Sequence, residues 1–150
     1  MKKTFFLIMI ALICVLITNN VTAQMRLINE VETDNPGVGE DACEYVELRG
    51  TPGDVLPANT YFIAINGAEA IEPEFGVVYY TGNVSNVAFG ANGLIVILRT
   101  GFTCPGRTYG TATIVNAPMG EFLQNATSSY FLLTLPAGAP APSTFFTDYD

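Results

Sequence analysis

Seven carboxylates fall within 18 residues: Glu30, Glu32, Asp34, Glu40, Asp41, Glu44 and Glu47. Hard oxygen donors at this density are what Ca²⁺ takes, so Asp34, Glu40 and Asp41, between two strand-like runs, form a candidate cation site. The plainer alternative is a solvated strand face and a polar turn, and the charge run favours it. Asp148-x-Asp150 has the opening of an Asp-rich calcium loop and is otherwise an acidic tail. Paired acids also serve glycoside hydrolysis when they stand about 5–10 Å apart across a cleft. Glu30 and Glu47 become neighbours only if the first two strands pair, and a carboxylate pair without a cleft is not a catalytic site.

Other chemistries lack their residues. The chain has no histidine, which removes Ser-His-Asp and Cys-His arrangements and His-based zinc sites. No P-loop and no strand-linked G-x-G-x-x-G occurs, and the basic residues are too few to clamp a phosphoryl group. The expectation is a protein that is not an enzyme, with no cofactor unless its acids hold Ca²⁺.

Residues 1–23 read as a secretory signal peptide: a positive Met1-Lys2-Lys3 head, 13 apolar residues over 5–17, and the small-residue site Val21-Thr22-Ala23. A membrane span needs roughly 20 apolar residues, and this run stops at Thr18-Asn19-Asn20. No span is expected after cleavage. A lipidated Cys14 would need a small residue before it, and Ile13 is not small. By composition the leader is of bacterial type, which places the product outside the cell or on its envelope. Its removal leaves Arg26, Arg49, Arg99 and Arg107 against 14 acids, a net charge of −10 on 127 residues. Such a surface repels phosphate backbones, which excludes nucleic acid bound through charge, and attracts cations.

Cys14 leaves with the signal. The remaining pair, Cys43 and Cys104, suggests one disulfide in an exported chain; two free thiols are the alternative. Closing that loop of about 60 residues contributes on the order of 4 kcal/mol in the chain-entropy account.

These groups must be held by strands, because no segment after Ala23 carries a helical period. Short runs recur between Gly, Pro, Asn and Asp: residues 25–31, 44–49, 61–65, 77–80, 87–89, 94–98, 111–115 and 130–135. Residues 44–49 alternate, with Val46 and Leu48 on one face and Tyr45, Glu47 and Arg49 on the other. Residues 94–98 are apolar throughout, as in a central strand covered on both faces. Gly90-Ala91-Asn92-Gly93 predicts a hairpin joining 87–89 to 94–98. About seven short strands predict an all-β sandwich or barrel of one domain, whose closed sheets would protect their edges. Most of Tyr61, Phe62, Tyr79, Tyr80, Phe89, Phe122, Tyr130 and Phe131 are expected in a core that has no Trp, with an exposed binding stripe as the alternative. Asn83-Val84-Ser85 and Asn125-Ala126-Thr127 are sequons that matter only in a eukaryotic pathway. Residues 136–150 break the pattern: three prolines in eight residues, then Phe145-Phe146 in the manner of an unfinished strand. The domain is therefore set at 24–135, and a longer parent protein is expected.

Leu27-Ile28-Asn29-Glu30-Val31 resembles the opening strand of lamin-tail domains. Glu44-Tyr45-Val46-Glu47-Leu48, followed by Arg49-Gly50-Thr51-Pro52-Gly53, resembles their second motif, and Thr60-Tyr61-Phe62-Ile63-Ala64-Ile65 their third strand. The likeness covers about residues 27–67, is closest to bacterial exported members, and departs from the family in having no tryptophan-bearing segment. It implies an immunoglobulin-like β-sandwich without catalysis, in which Glu30 and Glu47 fix loops by hydrogen bonding. Three roles follow as expectations: a surface or extracellular module binding a protein or glycan, an accessory domain of a longer exported hydrolase such as a nuclease or phosphoesterase, and a calcium-stabilised adhesion domain.

Overall fold

Alternation builds the centre of the molecule. Val46 and Leu48 are fully buried on one face of their strand, while Tyr45 is buried on the other. The computed structural model describes residues 25–33, 43–67, 76–99, 106–117, 123 and 128–142. The signal segment, Asp34, Glu40, Asp41, Cys104, Phe122, Asp148 and Asp150 lie outside the described residues.

The elements are β1 (Leu27–Glu32), β2 (Tyr45–Arg49), β3 (Thr60–Asn66), β4 (Val78–Asn83), β5 (Leu94–Arg99), β6 (Thr113–Ala117) and β7 (Ser128–Thr134). They form a four-stranded sheet ordered β1-β2-β5-β6 and a three-stranded sheet ordered β4-β3-β7. Val46, Leu48, Ile95 and Ile97 of the first sheet share one buried cluster with Phe62, Ala64 and Tyr80 of the second. The protein is thus all-β, two sheets packed face to face on a common core. Each side chain of this size contributes roughly 1.5–3 kcal/mol when fully buried. Phe62 anchors the second sheet, its ring stacked on Tyr130 at 6.0 Å and tilted against Tyr80 at 6.1 Å. Of the expected core aromatics, Phe62, Tyr80 and Phe89 are buried and Tyr79 and Tyr130 pack partly buried against them, whereas Phe131 is 44% exposed.

The unalternating run of β5 has a physical cause. Ile95 and Ile97 face the second sheet, while Val96 on the opposite face packs with Cys43, Tyr45, Tyr109 and Ala112. That outer cover comes from the connection to β6. Because β6 runs parallel to β5, the chain must cross over between them, and the described part of the crossover lies on the outer face.

β1 breaks parity. Ile28 faces Leu48 and Val31 faces Val46, so both point inward although three residues apart. Period-two geometry forbids this in a regular strand. A register shift between Ile28 and Glu30 makes Asn29 an extra residue, and the resulting bulge returns Val31 to the core and turns Glu30 and Glu32 outward.

The predicted hairpin is corrected. Residues 90–93 do form a tight reversal, with the Gly93 amide donating to the Gly90 carbonyl at 2.8 Å and the Gly90 amide to Leu94 at 2.9 Å. Its entering arm, however, belongs elsewhere: Val87, Ala88 and Phe89 pair with residues 53–56 instead of with β5. Phe89 decides this, since its buried ring lies over Gly50, where a Cβ would meet it at 2.6 Å. Residues 51–54 turn with Pro52 second and Gly53 third at φ 78°, the Asp54 amide donating to Thr51, as a type II turn requires. The expected closure of the sheets is also corrected: among the described residues both are open, ending at β1 and β6 and at β4 and β7.

Gly90 is the contact between the reversal and the crossover. A Cβ there would stand 2.0 Å from the Thr111 carbonyl and 2.7 Å from Ala112 Cα, both backbone atoms that cannot swing away. Gly90→Ala is expected to cost on the order of 2–3 kcal/mol in a urea titration, by overpacking against a fixed neighbour; an unchanged midpoint would show that the crossover does not rest on this turn.

Candidate functional site

The outer face of the first sheet gathers Glu30, Glu32 and Glu47 beneath Arg107. Glu30 and Glu32 stand on β1, Tyr45 and Glu47 on β2, and Leu94 on β5. The crossover brings Arg107, Thr108, Tyr109 and Gly110 over them. Tyr45, Glu47, Asn92, Leu94, Arg107 and Tyr109 line an open cleft of about 330 Å³. A groove of about 470 Å³ beside Met25, Leu27 and Arg49 is larger but has no comparable convergence of aromatic and charged groups.

Arg107 organises the cleft. Its guanidinium carbon lies 4.6 Å above the centre of the Tyr45 ring, a cation–π arrangement. Its Nη1 donates to the Tyr45 hydroxyl and stands 3.5 Å from Glu30 Oε1, while Nη2 stands 3.5 Å from Glu32 Oε2. With Arg107 40% exposed, each of these ion pairs contributes only about 0–1 kcal/mol. Their effect is on orientation: the guanidinium covers Tyr45, which is itself 1% exposed. Tyr109 completes the wall edge-on to Tyr45, with centroids 6.0 Å apart and planes at 63°. The Tyr109 hydroxyl oxygen is buried without a hydrogen-bond partner.

Glu30 and Glu47 are direct cross-strand partners, as pairing of the first two strands requires. Like charges set opposite each other repel. Here each is compensated separately, Glu47 by a 2.5 Å hydrogen bond from Asn29 Nδ2 and Glu30 by Arg107. Both carboxylates are therefore engaged in hydrogen bonds that fix β1 against β2 and the crossover. Among the described residues, no three Asp, Glu or Cys side chains are placed to hold a metal ion.

The turn at 90–93 positions the wall. Asn92 Nδ2 donates to the Tyr109 carbonyl at 3.2 Å, its Oδ1 accepts from the Leu94 amide at 3.2 Å, and the Ala91 amide donates to Thr111 at 3.1 Å. Sequence reasoning found the turn, but not that its asparagine holds Tyr109. Arg107 and Tyr109 were missed as site residues, because nothing in Gly-Arg-Thr-Tyr-Gly marks a segment that crosses a sheet. Glu44 was expected among the solvated acids. It is instead 2% exposed, its Oε2 accepting from the Leu123 amide at 3.3 Å. Cys43 is buried, at 4% exposure.

The chain matches no family model, no curated protein and no solved structure. No helix among the described residues is long and apolar enough to cross a membrane.

Burial raises the tyrosines. Tyr80 is pushed up to about 12 by desolvation alone. Tyr130 also reaches about 12, chiefly by desolvation, with the Ser128 hydrogen bond opposing. Desolvation raises Tyr45 most, the hydrogen bond to Glu30 adding to it and Arg107 opposing; Tyr109 is likewise raised by burial against Arg107. A folded value above the unfolded one of about 10 gives stability that is complete below pH 10 and lost as pH rises through the folded value. Unfolding free energy is thus expected to hold to about pH 10 and fall toward pH 12. Urea midpoints across that range check this, and a level profile would contradict the burial of these hydroxyls.

Proposed function

We propose that this protein is an exported, non-catalytic binding module of the cell surface or extracellular space. Its ligand contact is the acidic, tyrosine-walled cleft on the first sheet. The carrying observation is that Glu30 and Glu32 share a single guanidinium seated on Tyr45, while Glu47, opposite Glu30, lines the same cleft. Three carboxylates against one arginine leave a negative rim, and the site already holds one cation, Arg107, against an aromatic face. The ligand chemistry that suits it is a partner's ammonium or guanidinium groups, or a glycan bearing them. The leader 1–23 supports export, and the lamin-tail resemblance, on residues that form β1, β2 and β3, supports a module without catalysis.

Glu47 is the test residue, because its carboxylate lines the cleft while Arg107 binds the other two. The purified chain is expected to bind arginine-rich or lysine-rich peptides, or aminosugar oligosaccharides, more weakly as salt is added. Glu47→Gln should weaken that binding roughly tenfold, the scale of one lost charge contact. Binding that is insensitive to both salt and Glu47→Gln would remove the cleft from the account. We further propose that Cys43 is bridged to Cys104, which the burial of Cys43 beside the start of β2 supports. Digestion without reductant should yield the linked peptides, and recovery of two free thiols would exclude the bridge.

A further inference from the structure

Alternation puts three side chains of β2 on one face. Val46 and Leu48 point into the core, so Tyr45, Glu47 and Arg49 share the outer face. Tyr45 and Glu47 line the acidic cleft. Arg49 lines the neighbouring groove, with Met25, Leu27, Asn29 and Thr51. The two depressions share a border. Asn29 of the groove donates to Glu47 of the cleft at 2.5 Å. Arg49 stands between its direct partners, Leu27 on β1 and Leu94 on β5, and Leu94 lines the cleft.

Arg107 is committed to Glu30 and Glu32. Glu47 and Arg49 are not committed to any charge. Glu47 accepts from Asn29, an uncharged donor that leaves its negative charge in place. Arg49 is exposed and, among the described residues, forms no hydrogen bond, ion pair or ring contact. Its neighbours across the sheet, Leu27 and Leu94, have no side-chain acceptor for a guanidinium. Nor do Glu47 and Arg49 pair with each other. Positions two apart on a strand are about 7 Å apart, beyond ion-pair reach when the side chains stand parallel. One anion and one cation therefore face outward at a spacing set by the strand.

We propose, resting on the reading of the cleft as a cation site, that Arg49 is its carboxylate-binding subsite. The ligand is then a peptide that presents a cation to Glu47 and a carboxylate to Arg49, about 7 Å apart. Guanidinium and carboxylate match in shape, two parallel N–H donors meeting two oxygens. Two peptide sources have this spacing. In an extended Lys-x-Glu segment both side chains share a face two residues apart, the same repeat as in β2. In a carboxy-terminal lysine, six bonds separate the ammonium nitrogen from the carboxylate carbon, a span of about 7 Å. Met25, at 71% exposure, and Leu27 give the groove an apolar wall for the ligand's methylenes. The charge of the whole chain opposes such a carboxylate, at −10 after loss of the leader. A carboxylate added to a cationic ligand thus weakens binding unless a particular cation receives it.

Fluorescence anisotropy at low salt, with four labelled peptides and the purified chain, tests the subsite. Two peptides carry the carboxylate, a capped Lys-x-Glu and a free carboxy-terminal lysine. Their controls are a capped Lys-x-Gln and the carboxy-terminal amide. At least one carboxylate peptide is expected to bind roughly threefold tighter than its control, the scale of one exposed ion pair, and the one that does identifies the source. Arg49→Gln should abolish or reverse that preference while binding the controls at least as well as the native chain does. Arg49 is exposed, so the variant loses no buried contact, and circular dichroism establishes that it is folded. If neither carboxylate peptide exceeds its control, or if the preference survives Arg49→Gln, the subsite is overturned. Weaker control binding by Glu47→Gln would in that case still uphold the cation cleft. If no peptide binds, the cleft and its subsite fall together.

Discussion

The extra residue in β1 is the constraint on which the rest of the molecule depends. A strand can bury Ile28 and Val31 on one face only if something between them breaks the two-residue period. Asn29 does so, and its side chain then donates to Glu47 on the neighbouring strand. The consequence reaches the cleft. Glu30 and Glu32 are turned outward, where Arg107 spans both of them and settles on the Tyr45 ring. The bulge thus serves the core and the cleft at once.

A second asymmetry lies between the sheets. The first sheet is covered on both faces, by the second sheet within and by the β5–β6 crossover without, and among the described strands it alone carries charged residues. The second sheet is uncharged in all three of its strands. Fold does not dictate function, but this division separates two surfaces of different chemistry.

Much of the fold was legible in the sequence. Alternation at residues 44–49 gave both faces of β2, and the unbroken run at 94–98 gave a strand covered on two sides. What failed was non-local. The Asn92-Gly93 reversal was identified, but the arm entering it pairs with residues 53–56 because Phe89 packs over Gly50, a contact invisible in local pattern. The cleft was half legible for the same reason. Glu30 and Glu47 could be foreseen as neighbours, whereas Arg107 and Tyr109 enter through a parallel crossover whose path leaves no periodic signal. Nor could composition distinguish Glu44, which is buried, from the acids around it.

The parity break is tested most directly by comparing urea unfolding of two single-residue deletions in β1. Removing Asn29 deletes the extra residue and leaves every other side chain of the strand on its present face. Only the hydrogen bond to Glu47 is lost, and the expected cost is about 1 kcal/mol. Removing Val31 instead turns Glu32 toward the core, and stability is expected to fall by several kcal/mol, as it does when a charge is buried without a partner. Equal losses for the two deletions, or a larger loss for Asn29, would contradict the account.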